Sequence, residues 1–323
     1  MAKYLITGFS GFVGRHFTEY LFKNKKNSEI VGIDINPPSF GKDSFPGLKW
    51  EYKKIDLMNK EGLGDLLFNF RPDYILHLAA HSSVAFSWKE PALSFQNNTN
   101  IFLNILEVVR GINPRSRILA VGSSDVYGNV SPAALPLTEN SPLAPVSPYA
   151  MTRVFQEMMA ALYVKEFGVK IISTRSFNHI GPGQRDNFVV SSFAKKIVEL
   201  KIGGNHHITT GDTSIIRDFV DVRDVVKAYD LLFQKGRIGE VYNICSGKGY
   251  LLEEIIQMMA EIVKKEVVSM VDPKLIRPSD NQAIIGSNKK IIKEIGWRPE
   301  ITLKQSLKDL IEYWQEKGKN GEV

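Results

Sequence analysis

Short apolar runs alternate along this chain with longer stretches whose apolar residues recur at helical spacing. Tyr4-Leu5-Ile6 reads as a buried strand, and Ile30 to Ile33, Trp50 to Ile55, Tyr74 to Ala80, Arg117 to Val121 and Lys170 to Arg175 each read as a further short strand. Between them lie amphipathic stretches. The first opens with Phe17, Tyr20, Leu21 and Phe22. The segment 91–111 sets Phe95, Phe102, Leu103, Leu106 and Val109 on an apolar face, and 148–167 sets out Met151, Phe155, Met158, Met159 and Leu162. That Met and aromatic stripe reads as core or as a dimer interface. Short strands alternating with helices predict an α/β fold with a parallel sheet doubly wound by helices. Past about residue 178 the pattern loosens into Gly-Pro-Gly at 181–183, a helix near 191–200, a turn at Gly203-Gly204, a strand over Tyr242 to Ile244 and several helices. The expected division is 1-178 for the sheet domain, with return segments near 218-245, and 179-217 plus 246-323 for a smaller C-terminal substrate-binding lobe.

The first strand runs directly into Gly8, Gly11 and Gly14 and then into a helix. Strand, glycine turn and helix in that order form a dinucleotide-binding fingerprint of Rossmann type. One glycine permits the tight turn, one admits backbone N–H groups to a pyrophosphate, and one lets helix and strand pack closely. The phosphate then meets the helix N-terminus, where unpaired N–H groups and the helix dipole favour an anion. Asp34 ends the second strand about 20 residues beyond the glycines, where a carboxylate accepts from the ribose hydroxyls of a dinucleotide. It repels a 2′-phosphate and so favours NAD(H), while the cation at Arg15 moderates that preference. Asp56-Leu57 at the end of the third strand is placed to meet an adenine ring, and Leu78-Ala79-Ala80 is small enough for a cofactor to lie close. Ser10, Phe12, Val13, Ile35 and Asn98 complete the expected contacts to NADH or NADPH.

Composition narrows the remaining classes. The chain has 323 residues, a formal net charge of +6 and one cysteine, Cys245. Its Lys and Arg residues are spread out apart from small clusters such as Lys23 to Lys26, so no nucleic-acid surface is expected. A single cysteine, expected to be buried in a strand, permits no internal disulfide and suits a reducing cytoplasm. No apolar run reaches the ~18 residues that span a bilayer, and the glycines break any signal-like N-terminus, so no membrane partner is expected. His77 and His81 lack companions at metal-ligand spacing, and no metal is assigned. His206-His207 reads as a solvated turn, His179 as locally packed, and Trp88, like the other tryptophans, as core.

A hydroxyl at the end of the fifth strand, Ser123, and a tyrosine at a helix start, Tyr149, suit carbonyl reduction. The phenol donates a proton to the developing alkoxide while the serine hydrogen-bonds the same oxygen. Free tyrosine has a pKa near 10, so it needs a nearby cation. Arg153, one helical turn on, lies on the same face. At these residues the chain resembles the extended short-chain dehydrogenase/reductase family. The glycine spacing, LAAHSSV, GSSDVYG, SPYAMTR and RDFVDVRDV follow the family's order over essentially the whole length. The family's YxxxK is here Tyr149 to Arg153. Arginine keeps the charge but is longer, planar and holds its proton. Tyrosine activation can survive that change; a lysine-linked proton relay cannot.

RSFNHIGPGQ at 175–184, DFVD at 218–221 and GWRP at 296–299 resemble the nucleotide-sugar branch of the family. The resemblance implies reduction of the C4 ketone of a GDP-linked 4-keto-6-deoxy sugar by NADH or NADPH. It implies that Ser123, Tyr149 and Arg153 are catalytic, that Tyr149 and Arg153 also bind the cofactor, that Ser82, Ser123, Asp125 and Asn178 contact the sugar nucleotide, that Arg217 and Arg277 face the diphosphate, and that Asp280 accepts from the GDP ribose. Asp125 stands where dehydratases of this branch carry a Glu that removes a sugar proton; it is one methylene shorter, and a loop-orienting role is equally open. The resemblance also implies a homodimer formed through the segments 91–111 and 148–167. Epimerase or dehydratase chemistry on the same scaffold, and an impaired cofactor-binding homologue caused by Arg153, remain as rivals.

Overall fold

The structure is a computed structural model, and it describes residues 1–112, 115–200, 206–276 and 281–319. The turn expected at Gly203-Gly204 and the substrate positions Arg277 and Asp280 lie outside the described residues. In chain order the elements are β1 (Ala2–Thr7), α1 (Phe12–Asn24), β2 (Ser28–Asp34), β3 (Lys49–Lys54), α2 (Lys60–Phe70), β4 (Tyr74–His77), α3 (Val84–Lys89), α4 (Pro91–Ile112), β5 (Arg117–Ser123), α5 (Pro148–Phe167) and β6 (Lys170–Ser176). There follow β7 (Asn178–Ile180), α6 (Val189–Glu199), β8 (His207–Thr210), β9 (Ile216–Asp221), α7 (Val222–Lys235), β10 (Val241–Ile244), β11 (Gly249–Leu251), α8 (Leu252–Val263), β12 (Val268–Val271), β13 (Ala283–Ile284), α9 (Lys289–Ile295) and α10 (Leu303–Lys319).

Seven strands form one parallel sheet in the order β10-β6-β5-β4-β1-β2-β3. Leu5 of β1 lies between Val31 of β2 and Ile75 of β4, apolar residues covered from both faces, as an all-parallel sheet requires. One face is closed by α1 and α7 through Phe17, Leu21, Val225, Tyr229 and Phe233. The other is closed by α2, α4 and α5 through Leu67, Ile105, Leu106, Val109 and Tyr163. The strand order reverses between β1 and β4, so the chain leaves these two strands in opposite directions and opens a crevice beyond their carboxyl ends. That crevice is where the glycine turn sits.

The smaller sheet sets β11-β9-β13, with β7 paired to β9. Its core joins α6, α8 and α10 through Phe193, Ile197, Ile256, Leu310 and Trp314. The segment expected to return near 218–245 therefore divides. Its α7 and β10 join the large sheet, whereas β9 belongs to the small one, where four short strands give β9 pairing partners on both edges.

Three expectations of burial change. Phe102, Leu106 and Val109 of α4 are core, but Phe95 and Leu103 are exposed. On α5 Met159 is buried, yet Met151, Phe155, Met158 and Leu162 lie 40–65% exposed. The inward face of α5 is instead built from Ala150, Thr152, Arg153, Gln156, Ala160 and Tyr163, smaller or polar side chains that let the helix approach β5 and the crevice. Trp88 is 48% exposed and not core, because the six-residue α3 that carries it has only Ser87 buried. Cys245 is fully buried just past β10, and burial pushes its thiol pKa well up. His207 opens β8 instead of forming a turn, its main chain paired with Val268 of β12.

Candidate active site

A single cleft of about 1560 Å³ runs from the glycine turn across the carboxyl ends of the sheet into the second lobe. Gly8, Ser10, Gly11, Phe12, Val13 and Gly14 line one end, together with Asp34, Ile35, Asp56, Leu57, Leu78, Ala79 and Ala80. Gly8 has φ +67°, and a Cβ there would lie 2.8 Å from the Ala79 nitrogen across the β1/β4 crevice. A Cβ on Gly14 would meet the Phe9 carbonyl oxygen at 2.5 Å, so only glycine lets α1 start this close to β1. Gly11 caps α1 without a side-chain bond, and the first turn holds no acidic residue. The N–H groups of that turn are thus left to an anion, which fits the pyrophosphate of a dinucleotide.

The floor of this end is fixed by Thr7. Its Oγ1 accepts from the N–H groups of Leu78 and Ala79, both at 3.1 Å, and lies 2.9 Å from His77 Nδ1. With both N–H groups donating to it, the hydroxyl proton goes to Nδ1, which leaves the His77 proton on Nε2. Burial and the nearby Arg153 charge push the His77 pKa down to about 3. Asp34 stands at the end of β2 in this part of the cleft, and its carboxylate accepts from the backbone N–H of Ser10 at 3.2 Å and of Asn36 at 3.1 Å. The exposed Arg15 lines the same region.

At the centre stand Ser123, Asp125, Tyr149 and Arg153. Ser123 ends β5, and its Oγ accepts from the Asp125 N–H at 3.2 Å, which turns the chain out of the sheet. Gly122 before it has no room for a side chain, since a Cβ would lie 2.3 Å from the Thr174 carbonyl oxygen of β6. Ser147 caps α5, with Pro148 as its first residue, and this sets Tyr149 in the first turn facing β5. The Arg153 guanidinium carbon lies 5.1 Å from the centre of the Tyr149 ring. Its Nη1 donates to the Val121 carbonyl at 3.2 Å and to Gln156 Oε1 at 2.7 Å. The guanidinium thus sets a positive charge against the Tyr149 ring.

Asn178 and Arg217 line the cleft from β7 and β9, and Ser82 from the loop after β4. Asn178 Nδ2 donates to the Asp218 carbonyl at 3.1 Å, and Arg217 Nη1 donates to the carbonyls of Ile216 and Asn281. Asn98, expected against the cofactor, is instead 2% exposed and behind the cleft wall. Its amide accepts from the His81 N–H at 2.8 Å and donates to the His81 carbonyl and the Thr152 hydroxyl. It positions the loop after β4 against α5. The far wall includes Lys196 of α6, Thr210 of β8, Asp212 in the loop after it and Tyr313 of α10. No local pattern marks these four residues, and only the packing of α6 and α10 against the small sheet brings them together.

His179 also lines the cleft, its ring buried and Nε2 without a partner, and burial pushes its pKa down to about 4. Both His77 and His179 therefore stay neutral in the folded chain while the unfolded chain protonates near pH 6.5. Their stabilising contribution is complete above that pH and is lost as pH falls from there towards about 4 and then about 3. Asp218, fully buried and pushed up to about 6 by burial, works the other way between roughly pH 4 and 6. Burial lowers His16 in the same way and raises Asp224 as it raises Asp218, so three histidines against two carboxyls leave a net loss of stability on acidification, up to ~1.4 kcal/mol per pH unit for each uncompensated proton. Urea unfolding from pH 7 to 5 is expected to show it, with proton uptake on unfolding.

A parallel sheet with its glycine turn at the switch point, a Ser and Tyr at the adjoining strand and helix ends, and a second lobe closing over them define an extended short-chain dehydrogenase/reductase scaffold. The chain belongs to the family described as GDP-mannose 4,6 dehydratase, whose model matches residues 5–310. It is 34% identical over 311 residues to the GDP-6-deoxy-D-mannose reductase of Pseudomonas aeruginosa, covering 96% of each chain. Among solved structures, RMD from Pseudomonas aeruginosa complexed with NADPH matches with a TM-score of 0.86 at 33% identity, over 98% of this chain and 100% of that one. UDP-glucose 4-epimerase from Thermotoga maritima with UDP-glucose matches equally in fold, TM-score 0.86, at 28% identity over 98% and 99% of the two chains.

Proposed function

We propose that this protein is an NAD(P)H-dependent reductase that converts GDP-4-dehydro-6-deoxy-D-mannose to GDP-D-rhamnose. The observation that carries the reading is the unbroken cleft that joins a dinucleotide cradle at α1 to Ser123 and Tyr149 and then to a polar second-lobe wall with Asn178 and Arg217. Likeness to the GDP-6-deoxy-D-mannose reductase of Pseudomonas aeruginosa over 96% of both chains supports a GDP-linked sugar as the substrate class.

The dinucleotide, when bound, supplies a hydride equivalent for the C4 carbon. Tyr149 donates its phenolic proton to O4, and hydride plus proton complete the alcohol. Ser123 donates a hydrogen bond to the same oxygen as its charge develops. Arg153 contributes its field and keeps its proton. Asn178, Arg217 and Ser82 hold the sugar nucleotide, and an Arg suits a diphosphate through its fork of donors. Asp125 lines the cleft on the turn that presents Ser123, a turn closed by the Asp125 main-chain N–H on the Ser123 hydroxyl.

The apolar stripe of Met151, Phe155, Met158 and Leu162, touching Phe95 of α4 at a ring distance of 5.9 Å, supports a homodimer through α4 and α5. A single buried thiol and the absence, among the described residues, of a helix long and apolar enough to cross a membrane are compatible with a cytoplasmic setting.

Incubation with the GDP-keto-sugar and NADPH or NADH, with NMR of the product, tests the reading. Stoichiometric cofactor oxidation with GDP-D-rhamnose formed is expected. Turnover without net cofactor consumption points instead to an epimerase or dehydratase, the second reading that the Thermotoga structural match favours. Cofactor binding with no turnover of any kind overturns both.

A further inference from the structure

Arg153 and Gln156 form a closed hydrogen-bonded triangle with one backbone carbonyl. Arg153 Nη1 donates to Gln156 Oε1 at 2.7 Å and to the Val121 oxygen at 3.2 Å, while Gln156 Nε2 donates to that same oxygen at 3.1 Å. Both side chains are buried, Arg153 at 6% and Gln156 at 3% exposure. Neither partner of the guanidinium is an acid. The carboxylate next along α5, Glu157, faces away and is taken by the fork of Arg175 at 2.6 and 3.0 Å. Around the pair stand His77 of β4, neutral, and Tyr229 of α7, whose hydroxyl is spent on Ser176. Glu107 of α4 is engaged by Tyr163 and Arg110, and Asp125 lies across the cleft on the turn after β5.

We propose that Gln156 is a positioning residue of the reductase site: its neutral amide clamps the Arg153 guanidinium over Tyr149 without cancelling the guanidinium charge. An arginine needs such a clamp because it is long and has a fork of donors that must be seated. A buried carboxylate would seat it equally well, but the pair would then be neutral and Tyr149 would lose most of the positive field beside it. The amide of Gln156 supplies the geometry and leaves the field intact. The inference rests on the reductase reading for its kinetic arm only.

The test compares wild type with Gln156→Glu and Gln156→Leu in two measurements. The first is kcat/KM for ketone reduction against pH. Reduction uses protonated Tyr149, so activity falls as pH rises through the tyrosine pKa. In Gln156→Glu that alkaline limb is expected to move up by about one pH unit or more, with a plateau about tenfold lower because the phenol is a weaker acid. In Gln156→Leu the charge remains but the clamp is gone, and a similar loss of kcat with a smaller upward shift is expected, the cofactor Kd being little changed. The second measurement titrates Tyr149 itself by its near-ultraviolet tyrosinate absorbance, taken as the difference from Tyr149→Phe. It needs no substrate, so it decides the clamp even if the wild type reduces nothing, an outcome that would overturn only the reductase reading. A lower rate in both variants with the alkaline limb and the Tyr149 titration unmoved would reduce Gln156 to a packing role and overturn the proposal. If the Glu variant does not fold, Gln156→Leu alone decides by the same two readouts.

Discussion

Tyr149→Phe is expected to lower reductase turnover about 10²- to 10⁴-fold, the range for removing a positioned general acid. The substitution deletes one hydroxyl and little else. The ring stays in the first turn of α5, 7% exposed, and can still carry the Arg153 cation over its face at 5.1 Å. Cofactor affinity is therefore expected to hold, because the glycine turn, Asp34 and Thr7 lie on other elements. Steady-state kinetics together with NADPH binding by fluorescence check this. A variant that keeps a turnover within a few fold of wild type would remove Tyr149 from the mechanism. Loss of cofactor binding would mean that the hydroxyl serves the dinucleotide first.

Arg175→Met is expected to cost about 3 to 5 kcal/mol of stability, the range for stripping one partner from a buried ion pair. Arg175 ends up at the meeting of three elements. Its Nε and Nη2 grip Glu157 of α5, and its Nη1 donates to Tyr127 Oη at 3.1 Å and to the Glu139 carbonyl at 2.9 Å. Its side chain is 5% exposed and that of Glu157 17%, so methionine would leave a carboxylate largely cut off from water. Tyr127 still keeps Asn243 and the Thr138 carbonyl, which places the expected cost at the lower end of the range. Against a typical total of about 5–15 kcal/mol this is a large share. Urea unfolding measures it, and the double variant Arg175→Met with Glu157→Met is expected to recover most of the loss. A single-variant cost under about 1 kcal/mol would show that Glu157 is solvated after all.

The parallel sheet was legible in the sequence because its strands, apart from the largely polar edge strand β3, contain short apolar runs and its crossover helices carry apolar stripes. Those are local signals, and covering a parallel sheet on both faces leaves the chain little choice about them. The dinucleotide end was legible for a similar reason. Its glycines are demanded by backbone contacts within the β1 turn and across to β4, so their spacing alone reports the geometry. The chain written out linearly also shows Ser123, Tyr149 and Arg153, because a strand end and a helix start are both marked by turn chemistry.

What remained invisible depends on contacts between residues far apart in the chain. Asn98 looked like a cofactor contact, but the structure turns its amide onto His81 and Thr152, 17 and 54 positions away. Periodicity could not say which side of α5 is outermost. The methionines read as core or interface; in the fold Arg153 and Gln156 bond Val121 on the inward side with small residues, Met159 is buried beside them, and Met151 and Met158 are left exposed. The far wall of the cleft, with Lys196, Thr210 and Tyr313, exists only after α6, β8 and α10 have packed. By itself the sequence determined the sheet, the glycine turn and the placing of Ser123 and Tyr149 at a strand end and a helix start, since backbone sterics and strand burial act over a few residues. The tertiary structure alone decided how the Arg153 charge is held, because hydrogen-bond partners in a buried site are chosen by what the fold brings within about 3 Å.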